Sequence, residues 1–110
     1  LLVVDMGCVG LDLTCTEEQV SICAKDSSGP YDYEMTTRLV NLAKKHHIDA
    51  VTDIYPRYSS DAFAAWKAGY DTRAALIGPG VHASHGMERT HIKGLMGTLK
   101  LCAAYLELIP

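Results

Sequence analysis

The sequence predicts an α/β fold: a layered, mostly parallel sheet flanked by helices. Three observations carry this. Segments of strand and helix character alternate along the 110 residues in the order strand, strand, helix, strand, helix, strand, helix. The opening run Leu1 to Val4 is apolar without alternation, as in a strand buried on both faces. A composition of 48% hydrophobic and 21% charged residues suits one globular domain with a real core.

The elements follow in order. "LLVV" ends in Asp5 and Gly7. In "EQVSICAKD", Val20, Ile22 and Ala24 alternate with other residues, giving a half-buried strand, and "SSGP" closes it with a turn. From Asp32 to His46, Met35, Leu39, Leu42 and Ala43 recur at helical spacing behind an Asp that suits an N-cap. "IDAVTDIY" reads as a strand. "SSDAFAAWKAG" reads as a short helix with a serine cap, Phe63 and Trp66 on one face and Gly69 as its stop. "TRAALIG", residues 72 to 78, is the last strand, and "GPG" is a bend after it. A closing helix runs from about Ile92 to Leu108, with Thr90 near its cap and Leu95, Met96, Leu99, Cys102, Ala103 and Leu106 as its expected buried stripe. A chain that begins inside a core strand is unusual, so these residues are expected to be the C-terminal part of a longer protein.

Several functions are disfavoured at once. A net charge of −3, with both signs interspersed, offers no basic face to nucleic acid. No apolar run approaches the roughly 18–20 residues of a membrane helix, and the start lacks the pattern of a signal peptide, so a cytoplasmic protein is expected. The four cysteines form no C-x-x-C pair and read as reduced core thiols. "GPG" lacks the lysine and helix start of a phosphate loop, and no G-x-S-x-G or S-x-x-K pattern is present.

Functional groups of open α/β sheets collect at the carboxyl ends of strands. Asp5 ends the first strand, and His82 and His85 follow the last, so both ends could face one cleft. A carboxylate and an imidazole are donors that zinc, cobalt or manganese accept. An Asp at a strand end serves equally as a turn or cap residue, and a loop histidine can simply bond the backbone, so both readings stay open. His46 and His47 sit where they complement a helix dipole.

The succession "VVDMG", "KDSSGP", "AKKHHID", "YSSDAFAAWKAGYDTRAALIG" and "HASHGMERTH" before a closing helix resembles the C-terminal portion of the dinuclear-metal aminopeptidases. The glutamyl aminopeptidase or TET branch, whose members form hollow tetrahedral dodecamers, is the best match, and the similarity covers essentially the whole chain. The resemblance implies a zinc-peptidase fold of the phosphorylase/hydrolase-like kind, with residues 1–110 as the C-terminal segment of its catalytic domain. It implies hydrolysis of N-terminal residues from peptides with a free N-terminus, by two divalent ions, zinc or cobalt, in a homo-oligomer.

By the same resemblance Asp5 stands where one ion has a terminal ligand, and His85, with His82 as its rival, where the other ion has one. "SSDA" resembles the family's Gly-Thr-Asp-Ala, which makes Ser60 and Asp61 candidates to line or support the site; for Ser60, helix capping is an equal alternative. Glu88 and Arg89 either orient the loop, touch substrate or pair at the surface. The approach "PGVHAS" and the following "GMERTH" depart from the family's usual Ile-Pro-Thr-Arg-Tyr-like lead-in and trailing Ser-Pro. Three further ligands of the family, an N-terminal His, a bridging Asp and a Glu beside the general-base Glu, have no counterpart here. The segment alone is therefore expected to be inactive and to hold no ion tightly, because affinity needs a nearly complete ligand set. The competing reading is a non-catalytic assembly or binding module derived from the same fold.

Overall fold

The computed structural model describes all residues 1–110. In chain order its elements are β1 (Leu2–Val4), β2 (Gly7–Cys8), β3 (Val20–Asp26), β4 (Gly29–Pro30), α1 (Tyr33–Lys45), β5 (Ala50–Ile54), α2 (Asp61–Lys67), β6 (Ala75–Val81) and α3 (Ile92–Tyr105). β1 and β2 both run parallel to β6, and β3 runs parallel to β5. Between these parallel pairs, β6 and β3 are antiparallel, and β4 folds back on the end of β3. The sheet is therefore mixed. Because β1 and β6 point the same way, the residues that follow them emerge at one edge.

Each face of the sheet carries its own core. Val20 and Ile22 of β3 and Ala75 and Ile77 of β6 pack with Leu39 and Ala43 of α1 and Leu101 of α3. The alternate residues, Cys23 and Leu76, face the other way and join Val3, Cys8, Tyr31, Tyr55 and Ala62 of α2. This two-residue period along β3 and β6 separates the layers. No helix is long and apolar enough to cross a membrane.

The helix at Tyr33–Lys45 forms where its caps predict. The Asp32 carboxylate accepts the Met35 N–H at 2.8 Å, Glu34 lies in the first turn, and Lys44 and Lys45 lie in the last. The short α2 begins at Ser60 and is followed by Gly69 at φ 91°, a conformation that glycine adopts without strain. Ala62 is its buried residue; Trp66 packs against the core, while Phe63 is largely exposed.

Two expectations need correction. The "GPG" segment is no bend: Gly78, Pro79 and Gly80 lie inside β6. Pro79 has no N–H to donate, and the neighbouring ladder breaks opposite it, between Val4 paired with Ile77 and Gly7 paired with Gly80. Its glycines are needed because a Cβ on Gly78 would stand 1.5 Å from the Asp5 carbonyl oxygen, and one on Gly80 2.1 Å from that of Thr16. A segment filled in this way has no room to cradle an anion.

The closing helix also buries a different face. Gly94, Thr98, Leu101 and Ala104 turn inward, whereas Leu95, Met96, Leu99 and Leu106 are exposed, and the helix ends at Tyr105 rather than Leu108. Close approach decides this. A Cβ on Gly94 would meet the Glu17 carbonyl oxygen at 2.7 Å, and one on Gly97 would meet Val20 Cγ2 at 2.9 Å. The cap is His91, whose Nδ1 accepts the Lys93 N–H at 3.1 Å; the Thr90 hydroxyl instead donates to the Gly80 carbonyl at 2.7 Å.

The cysteines are free, and Cys8, Cys15 and Cys23 are buried. Burial, with nearby carboxylates adding to it, pushes the Cys15 and Cys23 thiols up to about 12. Near pH 8 such a thiol is roughly one part in ten thousand thiolate. A thiol reagent is expected to label both only after denaturation, and rapid labelling of either in the folded protein would contradict the placement.

Candidate metal centre

Asp5 occupies the break between β1 and β2. Its N–H still donates to the Ile77 carbonyl at 3.0 Å, and its side-chain Oδ1 accepts the Met6 N–H at 2.7 Å. The carboxylate is thereby fixed at the point where the strand leaves the ladder, and the residue is exposed. Nothing in the break competes for the position, because Pro79 opposite offers no donor.

His85 lies on the loop that follows β6. Paired backbone bonds between His82 and Arg89, 2.7 and 3.0 Å, close this loop as a hairpin. Inside it Ala83 and His85 take positive φ, 55° and 65°. Histidine visits this region more readily than bulky or β-branched residues do. Glu88 secures the turn, its Oε1 accepting the His85 N–H at 3.0 Å, and the Tyr58 ring stacks on the imidazole with centroids 6.2 Å apart and planes 11° from parallel. The loop's far end is tied down by Arg89, whose guanidinium grips both Glu17 oxygens at 2.7 to 3.1 Å. That contact holds the Glu17 carboxyl below its usual range.

Asp5 and His85, far apart in sequence, line the same small cavity of about 30 Å³, together with Cys8, Tyr58, Ser59 and Ser84. The volume is near that of one water in the liquid. His82 does not line it; it lies at the base of the hairpin beside Glu17. As donors, one carboxylate and one imidazole suit a divalent ion. They are two, and no cluster of three or more His, Cys, Asp or Glu side chains able to hold an ion is formed by this chain.

The sequence of the M42 glutamyl aminopeptidase family matches residues 1–101. The chain belongs to that family. It is 54% identical over 106 residues to YhfE of Bacillus subtilis (strain 168), a provisionally assigned aminopeptidase, covering 96% of this chain and 31% of the relative. Among solved structures it superposes on PhTET1-12s, a dodecamer, with a TM-score of 0.81 and 18% identity over 96% of this chain and 32% of the other. It also superposes on the TET aminopeptidase of a marine-sediment Thaumarchaeota archaeon, with a TM-score of 0.83 and 16% identity over 94% of this chain and 31% of that one. The chain thus spans about a third of the length of these relatives.

Other candidate residues of this M42 segment are placed differently. The Ser60 Oγ accepts the Ala62 N–H at 3.3 Å as the α2 cap and bonds the Tyr31 hydroxyl at 2.7 Å. Tyr31 in turn donates to Asp26, a buried carboxylate that also accepts the Ser28 N–H and hydroxyl. Ser60 therefore joins a chain of bonds behind the cavity, and its neighbour Ser59 lines the cavity itself. Asp61 is exposed in the first turn of α2.

Sequence reasoning missed Tyr58, Ser59 and Asp53. Asp53 looks like an outward residue of a strand, yet its buried carboxylate accepts the Thr14 N–H at 3.1 Å, the Thr14 hydroxyl at 2.9 Å and the Cys15 N–H at 2.9 Å. It thereby anchors the end of the loop that follows β2. Asp53→Ala strands these donors and is expected to destabilise the fold by about 2–4 kcal/mol, read as a lower thermal midpoint. A midpoint unchanged from the parent would show that the anchor contributes nothing.

Proposed function

We propose that this chain is the C-terminal catalytic segment of a cytoplasmic, dinuclear metal aminopeptidase that removes N-terminal residues from peptides. Asp5 is a ligand of one ion and His85 of the other, the ions being zinc or cobalt. The observation that supports this reading most is the meeting of Asp5 and His85 at one cavity, on the positions where the family resemblance puts its ligands. The remaining ligands and the general base belong to the rest of the polypeptide, which forms a homo-oligomer of the dodecameric kind.

Two divalent ions in such a site supply a water that ionises near neutral pH and positive charge for the attacked carbonyl oxygen. Asp5 brings one negative charge that lowers the net charge of the site, with Met6 N–H holding one of its oxygens in place. His85 acts as a neutral imidazole; Tyr58 fixes the plane of its ring and Glu88 the backbone that carries it. The buried Asp26–Tyr31–Ser60 chain fixes the start of α2, and with it the Tyr58–Ser59 wall. The substrate's free amine docks beside the two ligands.

The test is peptide hydrolysis by the intact parent protein loaded with zinc or cobalt. Release of free N-terminal residues that a chelator abolishes is expected, with no turnover from residues 1–110 alone. A parent that stays inactive and metal-free under all these conditions would leave the assembly or binding module as the better account.

A further inference from the structure

A second, larger cavity of about 620 Å³ opens beside the first, between the loop Cys8–Leu13, the segment Ile54–Tyr58, and Ala83–Ser84. The two share Cys8, Tyr55, Tyr58 and Ser84, so they are continuous. The larger one has a mostly apolar wall, drawn from Val9, Leu11, Leu13, Ile54 and Pro56. Much of that surface is bare: Leu11 is 97% exposed and Ile54 55%. Its two charged residues, Asp12 and Arg57, are both exposed and of opposite sign, so neither leaves a net charge on the wall.

The cavity also has a fixed frame. Asp53 holds Thr14 and Cys15 at one end of the loop, and the pairing of Cys8 with Val81 holds the other. A cavity bounded by an anchored loop presents its shape before anything binds, which lowers the ordering cost of binding.

From these observations we propose that this cavity seats the side chain of the substrate's N-terminal residue and selects large apolar side chains over small or acidic ones. The inference rests on the reading of Asp5 and His85 given above. With the substrate's amine and first carbonyl at those residues, the side chain on the intervening carbon points into the adjoining space. A leucine or phenylalanine side chain fills it and loses apolar surface to Val9, Leu11, Leu13 and Ile54. Glycine or alanine leaves the wall wet. An acidic side chain gives up hydration there without a buried cation to receive it.

The experiment uses the metal-loaded full-length enzyme and the 4-nitroanilides of leucine, phenylalanine, alanine and glutamate. Leucine and phenylalanine are expected to exceed alanine and glutamate in kcat/KM by roughly 10- to 100-fold, the discrimination that burying such a side chain supplies. Ile54→Trp, at an exposed position on the wall, fills the cavity and is expected to reduce the leucine-to-alanine ratio at least tenfold. Leu11→Asp, at the most exposed wall position, is expected to reduce it as well. A preference for glutamate that Arg57→Ala removes would overturn the apolar assignment while leaving the aminopeptidase reading intact. So would variants that slow leucine and alanine substrates equally. Absence of any chelator-sensitive turnover would overturn both.

Discussion

Gly78→Ala is expected to unfold the protein. The added Cβ would lie 1.5 Å from the carbonyl oxygen of Asp5 and 2.7 Å from its carbon, both backbone atoms of the adjacent strand. No rotamer change relieves such a contact. Only separation of β1 from β6 does, and that breaks the Leu2–Val4 pairing with Ala75–Ile77 and the Asp5 N–H bond to Ile77. A cost above about 4 kcal/mol follows, a large share of the roughly 5–15 kcal/mol that stabilises a domain. Gly10→Ala is the control: a Cβ there meets nothing within 4 Å, and a change within about 0.5 kcal/mol is expected. Circular dichroism and thermal melting of the two variants in the intact protein check this. A Gly78→Ala variant that melts with the parent would refute the close packing that places Asp5.

His85→Ala in the metal-loaded parent is expected to reduce kcat/KM by at least about 100-fold, since loss of one ligand removes or displaces an ion on which the reaction depends. His82→Ala, whose parent side chain lies beside Glu17 and outside the cavity, is expected to keep most of the activity. Because His85 holds φ at 65°, alanine there also adds backbone strain of about 1 kcal/mol, and His85→Asn, which tolerates this conformation, separates the two causes. Equal loss in His85→Ala and His85→Asn assigns the effect to the imidazole. Recovery in His85→Asn would assign it to the loop.

Much of the fold was legible because local chemistry and global packing agree. Asp32, Glu34 and the lysines of α1 mark that helix at both ends, and Val20, Ile22 and Ile77 announce buried strands. Where the sequence misled, the deciding contact was with backbone. Apolar side chains on α3 suggested a face centred on Leu95 and Leu99, but the helix docks through Gly94 and Gly97, whose lack of a Cβ lets it approach Glu17 and Val20. "GPG" has turn chemistry in isolation, and only the facing backbone of Asp5 and Thr16 explains why glycine is required within a strand.

The candidate site was legible in part for the same reason. Asp5 and His85 stood out as strand-end residues, and the parallel pairing of β1 with β6 brings their segments to one edge. Tyr58 and Ser59 lie in a connection with no motif of its own, and their role depends on how that connection crosses the face of the sheet. Asp53 was invisible because its partners, Thr14 and Cys15, belong to a loop with no regular pattern.

The assignment of Asp5 and His85 is tested most directly by counting bound metal. Elemental analysis of the intact parent, purified with zinc or cobalt and desalted, is expected to find two ions per chain, about one fewer in Asp5→Ala and in His85→Ala, and no loss in His82→Ala. Full metal content in both the Asp5 and His85 variants, or loss confined to the His82 variant, would contradict the account.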